Sequence, residues 1–161
     1  MRKKKLPTAS LERIAEEARK AFSVKDIARE QALRLCREVI RNSANTIRAV
    51  HRREMMDAGR TLDSGRALLT EVSLTLAEHS DLSHAGLVHD AQKEFAEASI
   101  TLALVGGKTL PSPAELKVNH SAYLNGLGEA AGEMRRYLLD TLRSDELARC
   151  EEILDMMDDI Y

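Results

Sequence analysis

Apolar residues recur at every third or fourth position along nearly the whole chain, and strand-like alternation is almost absent. This spacing is typical of helices that bury one face. The sequence therefore predicts an all-α protein, a helical bundle of about six helices. The predicted helices cover residues 10–22, 23–57, 62–78, 84–105, 121–143 and 145–161.

Local signals predict where these helices begin and end. The segment 23–26, Ser-Val-Lys-Asp, has the spacing of a capping box, so a new helix is expected to begin there. Glycine is favoured just after a helix, and Gly59 and the glycine pair at 106–107 therefore predict two helix ends. The proline-containing segment 108–119 is predicted to be a loop, and Ser144 is predicted to cap the last helix.

Length and composition are those of one globular domain. The chain has 161 residues, of which 43% are hydrophobic and 31% charged, and this length can bury a core without disulfides. We predict a single domain over 1–161, with residues 1–9 as a flexible basic N-terminal segment. No apolar run approaches the roughly 18 residues of a membrane span. Two isolated cysteines and the lack of a secretory signal favour a cytoplasmic protein.

Charge is distributed unevenly along the chain. Residues 1–60 contain 16 Lys and Arg against 8 Asp and Glu, whereas the rest contains 8 against 18. A basic half joined to an acidic half indicates either an anionic partner or contact between subunits.

Five arginines share one side of the second predicted helix. At about 100° per residue their side chains fall within a sector of about 60°. They are Arg34, Arg37, Arg41, Arg48 and Arg52. Guanidinium groups donate two hydrogen bonds at once to a phosphate, so this stripe is predicted to bind a nucleic-acid backbone. Contact with an acidic surface of another subunit and a solvated face are the alternatives.

Four glutamates form the second set of candidate functional residues. Glu94 and Glu97 are three residues apart on one predicted helix, and Glu129 and Glu133 are four apart on the next, so each pair shares a helix face. We expect these consecutive helices to be antiparallel neighbours whose acids converge. Oxygen ligands alone suit a hard cation such as Mg²⁺ or Mn²⁺. The alternative is that these glutamates are ordinary surface residues.

Three glycines lie beside these acids on the same predicted helix, at positions 126, 128 and 132. Glycine costs about 1 kcal/mol in a helix interior. Its presence there predicts that another backbone or a substrate approaches closely.

The residues around these acids resemble the translin and translin-associated factor X family. The segment 94–98, Glu-Phe-Ala-Glu-Ala, resembles the factor X motif Glu-Tyr-x-Glu-Ala. The segment 123–136 resembles the family's Tyr-Leu-x-Gly-x-x-Asp-x-x-Gly-Glu-x-x-Arg helix. Residues 48–52 resemble the Arg-x-Ile-His-Arg end of its basic helix, and residues 157–161 a later family signature.

The resemblance implies a translin-like helical fold that assembles into a closed, barrel-like homo-octamer with single-stranded RNA inside. Factor X proteins are metal-dependent endoribonucleases, whereas translin proteins bind nucleic acid without the catalytic acids. Glu94 and Glu97 match two family catalytic acids, Glu129 stands where the family usually has Asp, and Glu133 matches the following acid. The resemblance thus implies that Glu94, Glu97 and Glu129 are catalytic and that all four acids bind the metal.

Together these features predict a single-stranded RNA-binding protein that cleaves RNA with Mg²⁺ or Mn²⁺ inside an oligomeric barrel. One alternative is a non-catalytic protein that binds single-stranded RNA or DNA, because Glu129 is one methylene longer than the usual Asp. The other is a structural helical adaptor, in which the arginine stripe docks on an acidic neighbour.

Overall fold

The computed structural model of the chain describes residues 8–143 and 147–160. All regular structure in these two ranges is helical, which confirms the predicted fold class. The elements are α1 (Thr8–His51), α2 (Met55–Thr75), α3 (Gly86–Val105), α4 (Pro113–Leu116), α5 (His120–Leu142) and α6 (Leu147–Asp158). None of the helices in the described ranges is long and apolar enough to cross a membrane.

The first helix is a single element of 44 residues, so the predicted boundary at Ser23 is wrong. A capping residue must leave the helical conformation, and nothing between residues 8 and 51 forces this, because the segment contains neither Gly nor Pro. Asp26 does not cap a helix and lies 3.8 Å from the guanidinium of Arg29. The helical periodicity is therefore continuous through the segment.

The connection between α1 and α2 is shorter than predicted. Arg53 has a φ of 62°, a left-handed conformation that reverses the chain immediately after His51. Helix α2 begins at Met55, so Gly59 lies inside it and the predicted helix end there is wrong.

The predicted loop 108–119 contains one short helix, α4. Ser112 and Glu115 form a capping box around it, with Pro113 in the first turn, where proline costs no hydrogen bond. Lys117, with a φ of 56°, ends it. Two other predictions concern residues outside the described ranges, namely the cap at Ser144 and the basic segment up to residue 7; residues 8 and 9 belong to α1.

Helices α3 and α5 are neighbours, but they run in the same direction, so the expected antiparallel arrangement is wrong. Successive contacts advance along both helices together: His89 lies 3.3 Å from Asn125, and Lys93 lies 2.8 Å from Glu129. The segment between the helices returns along α3, and Asn119 hydrogen-bonds to Gln92. A connection of this length can span most of a 20-residue helix, so it does not require the antiparallel arrangement.

The core lies where α1, α2, α3 and α5 pack together, with α6 against α5. Its fully buried large side chains include Val39, Val50, Val72, Phe95, Ile100, Met134 and Ile153. The N-terminal part of α1 extends away from this core and leaves large apolar side chains exposed: Leu11, Ile14, Phe22, Val24 and Ile27.

Helices α3 and α5 touch at Gly126. A Cβ atom there would lie 2.7 Å from the carbonyl oxygen of Lys93 and 2.9 Å from the backbone nitrogen of Glu97, both too close for any side chain. The close backbone approach predicted for these glycines is therefore present at Gly126. Gly128 and Gly132 have nothing within 4 Å of the corresponding position and face open space.

Candidate metal centre and nucleic-acid interface

Three of the predicted site acids converge between α3 and α5. Glu94, Glu97 and Glu129 each place a carboxylate oxygen within 4.8 Å of the other two. The three acids converge because α3 and α5 touch at Gly126. The backbone nitrogen of Glu97 lies at this contact, and Glu129 is one turn beyond Gly126 on α5. We call these three residues the acid cluster.

Glu97 is the buried member of the acid cluster, with only 8% of its surface exposed. Within the described residues, no donor lies within hydrogen-bonding distance of its carboxylate. Burial, together with repulsion from Glu94, Glu129 and Glu133, raises the pKa of Glu97 to about 7, while Lys93 opposes the change. Burying a charge without a partner is costly, so the cluster favours a positive ion beside Glu97.

Lys93 already supplies one positive charge. Its Nζ atom lies 2.8 Å from Oε1 of Glu129 and 3.2 Å from Oε1 of Glu94. The hydrogen bond to Glu129 raises the pKa of Lys93, and burial only partly offsets this effect. Lys93 was not predicted as a site residue, although it directly precedes Glu94 and lies one helical turn before Glu97.

Glu133, the fourth predicted metal ligand, has a different partner. Its Oε2 atom lies 2.5 Å from Nε2 of His51, a side chain that is 8% exposed, and 3.7 Å from the guanidinium of Arg136. Glu133 is therefore outside the acid cluster, although its charge still acts on Glu97. His51 was not predicted as a site residue; the only signal was its position in the family-like segment 48–52.

All five arginines of the predicted stripe are exposed, and all but Arg52 lie on α1; Arg52 follows the last residue of that helix. Arg41 pairs with Glu38, Arg52 pairs with Glu54, and Arg48 donates a hydrogen bond to Oδ1 of Asn45. Arg34 and Arg37 differ from these three, because neither has a carboxylate within 4 Å among the described residues. The stripe therefore has two guanidinium groups available for an external anion.

Comparison with solved structures shows that the fold is that of the translin-type C3PO complexes. The crystal structure of AfC3PO superimposes with a TM-score of 0.84 and 32% identity, covering 91% of this chain and 76% of AfC3PO. The AfC3PO–duplex RNA complex gives a TM-score of 0.82 and 30% identity, covering 91% and 75%. Apo-NeC3PO, at 20% identity and a TM-score of 0.76, covers 99% and 81% and shows the fold alone.

The chain is translin-like in fold, and it belongs to the translin family, as the sequence predicted. It is also 30% identical over 142 residues to an uncharacterized protein of Methanocaldococcus jannaschii. The match covers 85% of this chain and spans 61% of the length of that protein. No protein-family model matches the chain.

The raised pKa of Glu97 predicts how stability depends on pH when metal is absent. A carboxyl group with a pKa of about 7 in the folded chain and 4.5 when unfolded binds its proton more tightly when folded. Its contribution to stability is therefore lost as pH rises from about 4.5 to about 7. Glu97→Gln stays neutral, so in EDTA it should match the natural chain near pH 4 and exceed it by roughly 2–3 kcal/mol near pH 8.

Thermal unfolding at a series of pH values measures this difference. Glu71→Gln, which removes an exposed carboxylate of α2, is the control and should show no such divergence. Parallel pH profiles for Glu97→Gln and the natural chain would show that the Glu97 carboxyl titrates normally.

Proposed function

We propose that this chain binds RNA and cleaves it as a divalent-metal-dependent endoribonuclease. The observation that carries the proposal is the buried carboxylate of Glu97, which has no donor among the described residues and lies against Glu94 and Glu129. The residues fit Mg²⁺ or Mn²⁺, because an all-carboxylate set of ligands suits hard cations and offers no nitrogen or sulfur atom that would favour zinc.

Glu94, Glu97 and Glu129 would hold the metal. When bound, Mg²⁺ lowers the pKa of water and offsets negative charge on the scissile phosphate. Glu97 provides a buried, fixed side of the site, whereas the side chains of Glu94 and Glu129 are 27% and 44% exposed and open toward solvent. We expect the RNA strand to approach from this open side. Glu133 is held by His51 and supports the site from beyond the cluster.

Two observations support RNA as the substrate. Arg34 and Arg37 have no carboxylate partner among the described residues, and arginine donors match phosphate oxygens. The related AfC3PO has been solved with duplex RNA, while the family likeness of the sequence predicts single strands, so both forms are candidate ligands. With only 3% aromatic residues, binding should depend on backbone charge more than on base stacking.

We also propose that the chain acts as an oligomer, with the homo-octamer of the family likeness as the specific form. The exposed apolar side chains on the N-terminal part of α1 favour contact with further copies, because a patch of this kind is rare on a monomer. Their arrangement is compatible with either a catalytic or a non-catalytic assembly.

Catalysis is tested by replacing Glu97 with Gln. This variant keeps the size of the side chain but removes the charge that a cation requires, so cleavage of single-stranded and duplex RNA in Mg²⁺ or Mn²⁺ should fall by roughly 100-fold or more. RNA binding should be retained, because the arginines are unchanged. Gel-based cleavage and fluorescence anisotropy measure the two properties separately.

Glu129→Asp is the informative companion, since it restores the residue that the family usually has. If the natural chain cleaves neither RNA form and Glu129→Asp does, the non-catalytic binder becomes the better interpretation. If neither protein cleaves RNA and neither metal raises the melting temperature, the acid cluster is not a metal centre.

The arginine stripe is tested by replacing Arg34 and Arg37 together with Ala. Binding should weaken by a similar factor for unrelated single-stranded sequences, and the salt dependence should lose about two contacts of roughly 0.7 each. The matched control replaces Arg13 and Arg60, exposed arginines outside the stripe.

Light scattering on the same samples should give a mass well above the 17.9 kDa of one chain. Unchanged affinity with an altered mass would favour the adaptor.

A further inference from the structure

The ammonium of Lys93 lies beside carboxylates that a cation bound by the acid cluster would also contact. Its ammonium contacts Oε1 of Glu129 at 2.8 Å and Oε1 of Glu94 at 3.2 Å, and 20% of its side chain is exposed. Both carboxylates belong to the group whose oxygens lie within 4.8 Å of one another. Among the described residues, Lys93 is the one ammonium that pairs with this cluster.

The lysine and a divalent ion cannot both use these oxygens. An ammonium and a metal held by the same two carboxylates would be a few ångströms apart, and at that separation like charges repel strongly in a partly buried site. Each carboxylate also has a limited number of lone pairs, so a metal ligated by Glu94 and Glu129 competes with Nζ for them. The binding of one cation therefore opposes the binding of the other.

Lys93 can move away from the acid cluster only by rotating its side chain, because its backbone is fixed. Its backbone lies at the tightest point between α3 and α5, because its carbonyl oxygen is 2.7 Å from the position where a Cβ of Gly126 would be. The flexible four-carbon stem, in contrast, can rotate toward the exposed side of the site. Exchange of the two cations is thus possible without movement of the helices.

From this geometry we propose that Lys93 is a tethered counterion of the metal-free protein, which holds Glu94 and Glu129 together and which a divalent cation must displace. The inference rests on the proposed function, since it takes the acid cluster to be the metal centre. It adds that the affinity for metal is set partly by competition with a residue of the chain itself. Lys93 is accordingly a positioning residue and does not act on the substrate.

Titration calorimetry with Mn²⁺ alone, on metal-free full-length protein, tests this inference. Lys93→Met keeps a long flexible side chain but removes the competing charge, so Mn²⁺ should bind about fivefold more tightly or better, the factor expected for loss of a partly exposed ion pair. Lys93→Arg keeps the charge and should bind Mn²⁺ no more tightly than the natural chain. Lys108→Met, at an exposed lysine elsewhere, is the matched control and should leave the affinity unchanged.

Thermal unfolding gives a second readout that a purely structural lysine would not produce. Lys93→Met should melt lower than the natural chain in EDTA, because the acids lose their counterion, and should gain more from saturating Mn²⁺.

The outcomes separate this inference from the proposed function. If the natural chain binds Mn²⁺ and Lys93→Met binds it equally or more weakly, competition by Lys93 is wrong while the metal centre stands. If only Lys93→Met binds Mn²⁺, Lys93 blocks the site as inferred and the natural chain is not a metal enzyme under these conditions. If neither binds Mn²⁺, both the inference and the metal centre are wrong.

Discussion

The contact between the backbones of α3 and α5 at Gly126 is the constraint on which the candidate site depends. A side chain at this position would collide with the carbonyl oxygen of Lys93 and the nitrogen of Glu97, and the two helices would have to separate. Because they do touch, the acids of α3 and α5 lie at the same level, and Glu97 is covered by its neighbours. The glycine thus determines both the packing of the helices and the distances between carboxylates.

This packing concentrates negative charge around the buried carboxyl group of Glu97. Glu97, Glu94 and Glu129 repel one another, and the raised pKa of Glu97 reflects that cost together with burial. Two residues of the chain moderate it: Lys93 pairs with two of the acids, and His51 holds Glu133 at the margin. A globular protein without a use for such a cluster would gain stability by replacing Glu97 with an apolar residue. Its presence therefore supports the proposal that the acid cluster holds a cation.

Sequence periodicity was sufficient for the fold class and for the faces of the helices, because both depend on regular spacing along a helix. The spacing of Glu94 and Glu97 therefore indicated acids on one face that could meet Glu129. Local end signals were less informative: the capping-box pattern at Ser23 lies within a continuous helix, and Gly59 lies inside α2. Such patterns indicate the conformation that an isolated segment prefers, whereas packing along a long helix decides the conformation that it adopts.

The direction of α5 and the partners of the acids were not predictable in the same way. The hydrophobic periodicity does not show that the connection between α3 and α5 returns along α3. Asn119 hydrogen-bonds to Gln92 only because of this return. Lys93 and His51 contact acids that are 36 and 82 positions away in the sequence. Such contacts arise only in the tertiary structure, so spacing within one helix could not identify them.

The proposed function requires that the acid cluster between α3 and α5 hold a divalent cation. The most direct measurement is the anomalous diffraction of a crystal of the full chain soaked in Mn²⁺. We expect a peak bounded by the carboxylates of Glu94, Glu97 and Glu129, with the ammonium of Lys93 no longer between Glu94 and Glu129. A crystal that binds Mn²⁺ only elsewhere, or not at all, with the Lys93–Glu129 pair intact would contradict it.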